Sequence, residues 1–185
     1  MITIDSNKLK EVEKQLGQFK GKAPSAISRA LNRAAANAKT NASKKAREKY
    51  IIKSSDIKSS INVSKATKSN LGAAVVSKGE RLGLHKFKVS PKIPRPKNPP
   101  KGLKISVKKG SGKKLLHAFI ADINGGKVFE RTSKSRLPIR QLYGPAIPQM
   151  LGNISIKNYI ESESAKVFNE RLDHEIKNIL EGVTK

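Results

Sequence analysis

The fold of this chain depends most on one stretch, Pro24–Tyr50, which has the sequence PSAISRALNRAAANAKTNASKKAREKY. Its apolar residues recur every three or four positions, as one face of a helix requires: Ile27, Leu31, Ala34, Ala38, Ala42, Ala46 and Tyr50. Pro24 suits the first turn of a helix. The stretch therefore predicts a long helix whose small alanines allow close packing against a sheet or another helix. The opposite face, either solvated or a binding surface, carries Arg29, Arg33, Lys39, Lys44 and Arg47.

Helical spacing also marks both ends of the chain. Asp5 or Ser6 can cap a first helix that runs to about Gly21, with its apolar residues at Leu9, Val12, Leu16 and Phe19. A last helix is predicted from about Ser155 to Gly182, with the stripe Ile156, Ile160, Phe168, Leu172, Ile176, Ile179 and Val183. We expect its acidic residues on the other faces: Glu161, Glu163, Glu170, Asp173 and Glu175. A short helix after Ser54 would place Ile57 and Ile61 one turn apart.

The middle of the chain changes to short runs of β-branched or large apolar residues, a pattern typical of strands. These runs are Leu71–Val76, Leu84–Val89, Leu103–Val107, Leu115–Ile123 and Lys127–Arg131. Asn124-Gly125-Gly126 predicts a hairpin turn, because type I′ geometry needs positive φ at both central positions. The segment 90–102 holds five of the nine prolines and is expected to be extended and exposed. Its alternative roles are an arm towards a neighbouring subunit, a long connection between strands, or a proline-motif ligand for a signalling domain.

Together these elements predict a single α+β domain over residues 1–185. We expect long N-terminal helices, a small mostly antiparallel sheet of about four to five strands, and a long C-terminal helix packed on the sheet. Residues 1–22 would form a helical extension, residues 23–150 the helix-plus-sheet core, and residues 151–185 the C-terminal helix.

The chain is strongly basic, with 39 Lys and Arg against 14 Asp and Glu in 185 residues. Residues 1–150 hold 34 basic and 8 acidic side chains, whereas residues 151–185 hold 5 and 6. A net charge of +25 favours a partner that neutralises it, such as nucleic acid, an acidic protein surface or neighbouring subunits in a ring. The amino-acid usage of a lysine-rich proteome is the alternative explanation.

The residues that most enzymes need are scarce. The chain has no cysteine, which excludes disulfides, thiolate catalysis and cysteine-based metal sites. His85, His117 and His174 lie in separate segments without the spacing of metal ligands, so we expect neither a metal nor a cofactor. A nuclease would have to use Asp122 and Glu130, and neither has a catalytic motif around it.

The stretch Lys108–Lys114, KKGSGKK, predicts a basic hairpin loop. A Walker motif needs Gly-x4-Gly-Lys-Ser/Thr leading into a helix, whereas here the glycines are two apart and a strand follows. Contact with DNA or an acidic partner would fall to Lys108, Lys109, Lys113 and Lys114. A solvated hairpin tip is the alternative.

No run approaches the roughly 20 apolar residues of a transmembrane helix. The first residues also lack a basic region followed by an apolar run. We therefore expect a protein of a cytoplasm-like compartment, without a membrane partner.

The most informative stretch leads from the last predicted strand to the last helix. It contains Gly126-x-Val-Phe-x-Arg131, Arg136-x-Pro-Ile139 and Leu142-x-Gly-Pro-Ala-Ile-Pro-x-Met150. Earlier motifs are Ala26-Ile-x-Arg-Ala-Leu-Asn-Arg-Ala34 and Ala118-Phe-Ile-Ala121. In this order and spacing, the motifs resemble the minor tail protein Z family of tailed bacteriophages and prophages over about residues 23–180.

The resemblance implies a structural protein and not an enzyme. Members of the family act late in tail assembly, near the head-proximal end of the tail tube, where a ring of subunits completes the tail and helps it join the DNA-filled head. The implied partners are further copies of the chain in a hexameric ring, tail-tube or terminator proteins, and head–tail connector proteins. The implied location is the virion tail or neck, after assembly in the host cytoplasm, with non-specific contact to genomic DNA as a further expectation.

Seven residues are candidates for the assembly segment: Phe129, Arg131, Arg136, Pro138, Ile139, Gly144 and Pro145. Each also has a plain folding role as its alternative, in the core for Phe129 and Ile139 and in a turn for Gly144 and Pro145. The alternative function is a stand-alone nucleic-acid-binding protein. Its support is the charge alone, because the chain lacks aromatic stacking positions and recognised nucleic-acid-binding motifs.

Overall fold

The computed structural model describes residues 2–3, 6–94, 101–123 and 125–182. The chain is α+β, as predicted. Its contacts divide it into two compact units. Unit 1 comprises residues 1–42, 61–77 and 153–185, and unit 2 comprises residues 43–60 and 78–152. Whether the two units form the single predicted domain stays a prediction.

The described residues contain five α-helices, eleven short strands and two short 3₁₀ helices. The helices are α1 (Ser6–Leu16), α2 (Ala23–Lys49), α3 (Ser54–Ser59), α4 (Ile147–Leu151) and α5 (Ile154–Leu180). The strands are β1 (Ile2–Thr3), β2 (Ile61–Ser64), β3 (Gly72–Ser77), β4 (Arg81–Gly83), β5 (Lys88–Ser90), β6 (Leu103–Ser106), β7 (Lys113–Leu115), β8 (Ala118–Asp122), β9 (Gly126–Arg131), β10 (Ile139–Gln141) and β11 (Tyr143–Ala146).

The apolar stripe predicted for the long helix is confirmed, since all seven of its residues are buried. In unit 1, Ile27 and Leu31 of α2 share one core with Val12 of α1 and Leu172 of α5. The alanines of α2 in this core are almost fully buried, so neighbouring elements approach the helix closely. Each buried Ile or Leu of this core contributes roughly 1.5–3 kcal/mol, so the residues of α2, α1 and α5 stabilise unit 1 together.

The first helix is shorter than predicted. It ends at Leu16 because Gly17 adopts a φ of +53°, in the left-handed region that favours glycine. A 3₁₀ helix over Gly17–Lys22 then leads directly into α2, so Gly21 does not end α1. Val12 and Leu16 are buried, while Phe19 is half-buried at the edge of the core.

The sheet of unit 1 is antiparallel, with the strand order β1-β3-β2. The prediction that Ile61 belongs to a helix was wrong, because it begins β2 opposite Ser77. The helix α3 stops earlier, where the backbone N–H and the hydroxyl of Ser60 both donate to the carbonyl of Ile57. Phe168 of α5 and Ala73 of β3 belong to the same core, which confirms that the C-terminal helix packs on a sheet.

Unit 2 contains three small antiparallel sheets, ordered β5-β6-β7, β8-β9-β10 and β4-β11. The described residues therefore form several small sheets and not the one predicted. The predicted strand 84–89 is a 3₁₀ turn, Leu84–Lys86, followed by β5, and the predicted strand 115–123 divides into β7 and β8. The break falls at Leu116, which is 64% exposed. An apolar run does not reveal such a turn within it, since periodicity is weak over so few residues.

Two predicted loops are only partly described. The hairpin turn is confirmed between β8 and β9, where Asp122 pairs with Gly126 and Gly125 has a φ of +88°; Asn124 lies outside the described residues. Residues 95–100 of the proline-rich segment also lie outside them. At its ends, Ser90 belongs to β5 and Gly102 is buried against the Leu115 carbonyl, so the segment is not exposed over its whole predicted length.

Candidate functional site

The candidate assembly residues begin on β9, the central strand of the β8-β9-β10 sheet. Phe129 is buried and pairs across the sheet with Phe119 of β8, with their ring centroids 6.3 Å apart. Arg131 follows two residues later on the same face, and its guanidinium lies 5.6 Å from the Phe119 ring centroid. Ile139 of β10 pairs with Arg131 and is half-buried. The sheet therefore brings Phe129, Arg131 and Ile139 together on one face.

The loop between β9 and β10 is exposed and held by its own hydrogen bonds. The backbone N–H and the hydroxyl of Thr132 both donate to the carbonyl of Pro138, at 3.2 and 3.0 Å. Arg131 donates to the carbonyl of Ser135 at 3.4 Å. Arg136 and Pro138 are exposed. Arg136 and Arg131 therefore offer charged groups, and Pro138 a rigid ring, on the surface of unit 2.

Gly144 and Pro145 lie in β11 and differ from the loop residues. Gly144 is buried, and a Cβ added to it would lie 2.7 Å from Cε2 of Phe87 and 3.3 Å from Cδ2 of Leu84. Pro145 is half-buried. Phe129 thus lies in the core, as its alternative predicted, whereas Gly144 and Pro145 lie in a strand and not in the turn that was their alternative. The exposed candidates remain available for contact with another molecule.

The outer edge of β10 has no strand beside it among the described residues. Hydrogen bonds from Thr132 to Pro138 and from Leu142 to Val128 flank this strand. In an antiparallel ladder the hydrogen-bonded pairs alternate, so the backbone groups of Arg140 face β9 and those of Ile139 and Gln141 face the open edge. Leu137, which precedes this edge, is 66% exposed.

The candidate lysines occupy two different environments in unit 2. Lys108 and Lys109 are joined to the end of α2: Tyr50 bridges to Lys108, and the N–H of Lys109 donates to the Lys49 carbonyl at 2.9 Å. The ammonium of Lys45 lowers the pKa of the Glu48 carboxyl in the same helix, and Lys109 adds to this effect from the loop. The predicted loop is therefore anchored at its start.

Lys113 and Lys114 belong to β7 and not to the loop. Lys114 pairs with Lys104 of β6, and Ser90 of β5 pairs with Lys104 from the other side. Lys88 lies on the same face as Ser90, so this face of the sheet carries three exposed lysines in three adjacent strands. Like charges directly opposite each other are destabilising, which makes the face suited to an anionic partner.

The structure does not assemble the nuclease considered from the sequence. Asp122 pairs with Gly126 at one end of the β8-β9 ladder, while Glu130 pairs with Ala118 at the other, which separates their backbone positions by roughly 13 Å along the strands. Arg140 instead holds Glu130 through a 2.9 Å ion pair. Among the described residues, no group of three or more acidic or histidine side chains could hold a metal ion.

His85 has the most perturbed surroundings of the three histidines. Its ring covers Gly83, and its Nδ1 atom is buried without a hydrogen-bond partner. Burial lowers the pKa of the imidazole, and the nearby charges of Lys86 and Lys127 lower it further, against a smaller opposite effect of Asp56. The ring is therefore favoured in its neutral form, and its contacts with Gly83 indicate a packing role.

One charged cluster in unit 1 was missed from the sequence. Glu175 of α5 is only 1% exposed, although an outward position was predicted for it. Its Oε2 accepts from Nη1 of Arg29 at 3.1 Å, and its Oε1 lies 2.5 Å from Nη2 of Arg171. The available signal was its spacing, since Glu175 lies three residues after Leu172 and four before Ile179 and so falls within the apolar stripe.

Beside this cluster is a cleft of about 480 Å³, lined by Arg29, Asn32, Arg33, Ala36, Lys65 and Arg171. Asn32 fixes one wall of it through two bonds to the backbone of Ala66: its Oδ1 accepts from the N–H at 2.8 Å, and its Nδ2 donates to the carbonyl at 3.0 Å. These bonds hold the segment that follows β2, and they bring Lys65 to the cleft.

Comparison with protein families decides what kind of protein this is. The model of one family, described as prophage minor tail protein Z, matches residues 8–185. The chain belongs to this family. Neither the curated proteins nor the solved structures gave a match.

Family membership makes the chain a structural protein of a phage tail, located in the virion. It confirms the resemblance seen in the sequence motifs, and it extends it to nearly the whole chain. Minor tail structural proteins are generally non-enzymatic, and they interact with other tail or virion proteins. None of the helices in the described ranges combines the length and the apolarity that crossing a bilayer requires.

Proposed function

We propose that this minor tail protein forms a homo-oligomeric ring at the neck, or head-proximal end, of the phage tail. The ring completes the tail, supports head–tail joining and lets DNA pass. Its partners are the tail-tube or terminator proteins on one side and the connector proteins on the other, and assembly takes place in the host cytoplasm. Six subunits agree with the setting of the family. The role is structural and involves no catalysis.

The observation that carries this proposal is the open edge of β10. Backbone groups of Ile139 and Gln141 face that edge, and no strand pairs with it among the described residues. Unpaired edges of this kind accept a strand from another chain. In a ring closed by head-to-tail contacts, the β10 edge of each copy can meet a different surface of the next copy, so that every such edge is covered.

The residues around the edge have distinct parts in this proposal. Leu137 supplies exposed apolar surface, and Arg131 and Arg136 supply charges that fix the register between copies. Pro138 and Ile139 shape the edge strand itself. Phe129, Gly144 and Pro145 support the segment from the interior or the half-buried side. The lysines of the β5-β6-β7 sheet and of the adjoining loop, Lys108, Lys109, Lys113 and Lys114 among them, meet DNA or an acidic partner.

The test is self-association of the purified chain, measured by analytical ultracentrifugation and electron microscopy. Leu137→Asp puts a charge beside the edge and should abolish rings. Ile123→Asp is the matched control, because Ile123 is 46% exposed at the opposite end of the same sheet and should leave rings intact. A chain that stays monomeric and does not bind purified tail tubes would overturn the proposal.

Virions provide the second test. Deleting the gene should give tails that do not join heads, or joined particles that fail to deliver DNA, and the Leu137→Asp chain should not restore them. The stand-alone nucleic-acid-binding function predicts a different result. It requires that a monomeric chain bind DNA at physiological salt, with an affinity that falls steeply as salt rises.

A further inference from the structure

A cleft in unit 1 brings together more positive charge than its own carboxylate can neutralise. Three guanidiniums and one ammonium line it, from Arg29, Arg33, Arg171 and Lys65. Glu175 contributes one negative charge, already shared between two of the arginines. Arg29 and Arg33 are also one turn apart on α2, a spacing at which like charges repel. We propose that this cleft binds a phosphate group.

Glu175 is the positioning residue of the cleft. It is buried and uses both carboxylate oxygens, one for Arg29 and one for Arg171. The two arginine side chains nevertheless remain 49% and 40% exposed, so each keeps N–H donors for a ligand. A guanidinium held in place loses less side-chain freedom when it binds an oxyanion.

Among the described residues, the other two cations have no ion-pair partner that would compete with a ligand. No ion pair joins Arg33 or Lys65 to a carboxylate of the described residues, and both side chains are exposed. Lys65 is held in place because Asn32 clamps the backbone of the next residue, Ala66, in both directions. The sequence Arg29-Ala-Leu-Asn-Arg33 therefore supplies two cations and the clamp from a single turn of helix.

The lining favours phosphate over the carboxylates of an acidic peptide. Among the described residues, Ala36 is the only apolar residue that lines the cleft, and every other lining side chain ends in a charged or amide group that donates hydrogen bonds. Arginine matches phosphate bidentately, and a phosphate monoester carries about two negative charges against one for a carboxylate. In the described part of the chain, no aromatic side chain lines the cleft, so it offers a nucleotide base no aromatic ring to stack on. The same oxyanion geometry can come from a free phosphate ester or from the backbone of DNA, where each phosphodiester carries a single negative charge.

The experiment compares two double variants of the full chain, each lacking two positive charges. Arg33→Gln with Lys65→Gln removes two of the four positive charges that line the cleft and leaves both ion pairs of Glu175 in place. Lys10→Gln with Lys14→Gln, on the exposed face of α1, is the control. Inorganic phosphate is titrated by calorimetry, and a random duplex of about 20 base pairs by fluorescence anisotropy at several salt concentrations. Circular dichroism verifies that both variants are folded.

We expect the cleft variant to bind phosphate about tenfold more weakly or worse, and the control to bind it as the native chain does. If DNA is the source, the slope of log affinity against log salt also falls by about two in the cleft variant alone. A change in the phosphate titration alone identifies a free phosphate ester. Equal binding of phosphate and DNA by both variants overturns the proposal. A polyglutamate peptide that binds in a cleft-dependent way, while neither phosphate nor DNA does, overturns it as well. None of these outcomes depends on ring formation.

Discussion

Oε2 of Glu175 lies 3.1 Å from Nη1 of Arg29, which is 146 positions away in the sequence. A carboxylate that is 1% exposed is stable only when it is paired and hydrogen-bonded. Arg29 and Arg171 meet this requirement from two different helices. The pair joins α2 to α5 within unit 1, in addition to their shared apolar core.

Glu175→Gln should therefore destabilise unit 1. It removes the only negative charge between two arginines, although water solvates their exposed ends in part, and we expect a loss of about 2 kcal/mol in the free energy of unfolding. Glu161→Gln in the same helix is the control, because its pair with Lys157 is 63% exposed and should cost about 0.5 kcal/mol or less. Urea denaturation measures both. Equal midpoints would show that the buried pairs do not stabilise the fold.

Gly144→Ala should destabilise unit 2. The added Cβ would lie 2.7 Å from the buried Phe87 ring, and overpacking of this kind costs about 1–3 kcal/mol. Gly21→Ala places the same methyl group where no heavy atom lies within 4 Å, so its effect should stay within about 0.5 kcal/mol. Thermal unfolding of the two variants tests this contrast. A Gly144→Ala chain as stable as the control would mean that Phe87 moves aside freely.

The His85 ring should make the chain less stable in acid. Burial, followed by Lys86 and Lys127, holds its pKa below the ordinary value of 6.5. As the pH falls below that value, the unfolded chain binds a proton that the folded chain does not, and the free energy of unfolding decreases. We expect His85→Asn to lose less stability than the native chain between about pH 7.5 and pH 5.5. Denaturation midpoints at both values measure the difference.

The control for this prediction is His117→Asn, in the exposed turn between β7 and β8. It should retain the acid-dependent loss of the native chain. If His85→Asn retains the loss as well, other groups are responsible for it.

Substitutions at two leucines should distinguish the effect on stability from the effect on self-association. Leu31 is fully buried, and Leu31→Ala should lower the free energy of unfolding by about 2–5 kcal/mol. Leu137 is 66% exposed, so Leu137→Ala should change stability by less than about 0.5 kcal/mol while weakening self-association. Denaturation and sedimentation measure the two effects. Normal association of the Leu137→Ala chain would argue against a role for this side chain in the ring.

The sequence by itself determined the elements with strong local signals. The stripe of α2 was readable because its residues repeat at helical spacing over seven turns, and the β8-β9 turn because its glycines allow positive φ. The family motifs were readable for the same reason, as short patterns in a fixed order. Even there, Gly17 and not Gly21 ends α1, because either glycine could adopt the left-handed conformation and the sequence alone does not distinguish them.

Only the tertiary structure decided the features that depend on distant partners. Nothing near Glu175 in the sequence shows that Arg29 neutralises it, since a carboxylate in an apolar stripe can also lie at its exposed margin. The division of residues 115–123 into β7 and β8 likewise depends on pairing with β6 and β9. The open edge of β10 and the phosphate cleft follow from such pairings, because a sheet edge and a cleft are defined by what lies beside each residue in space.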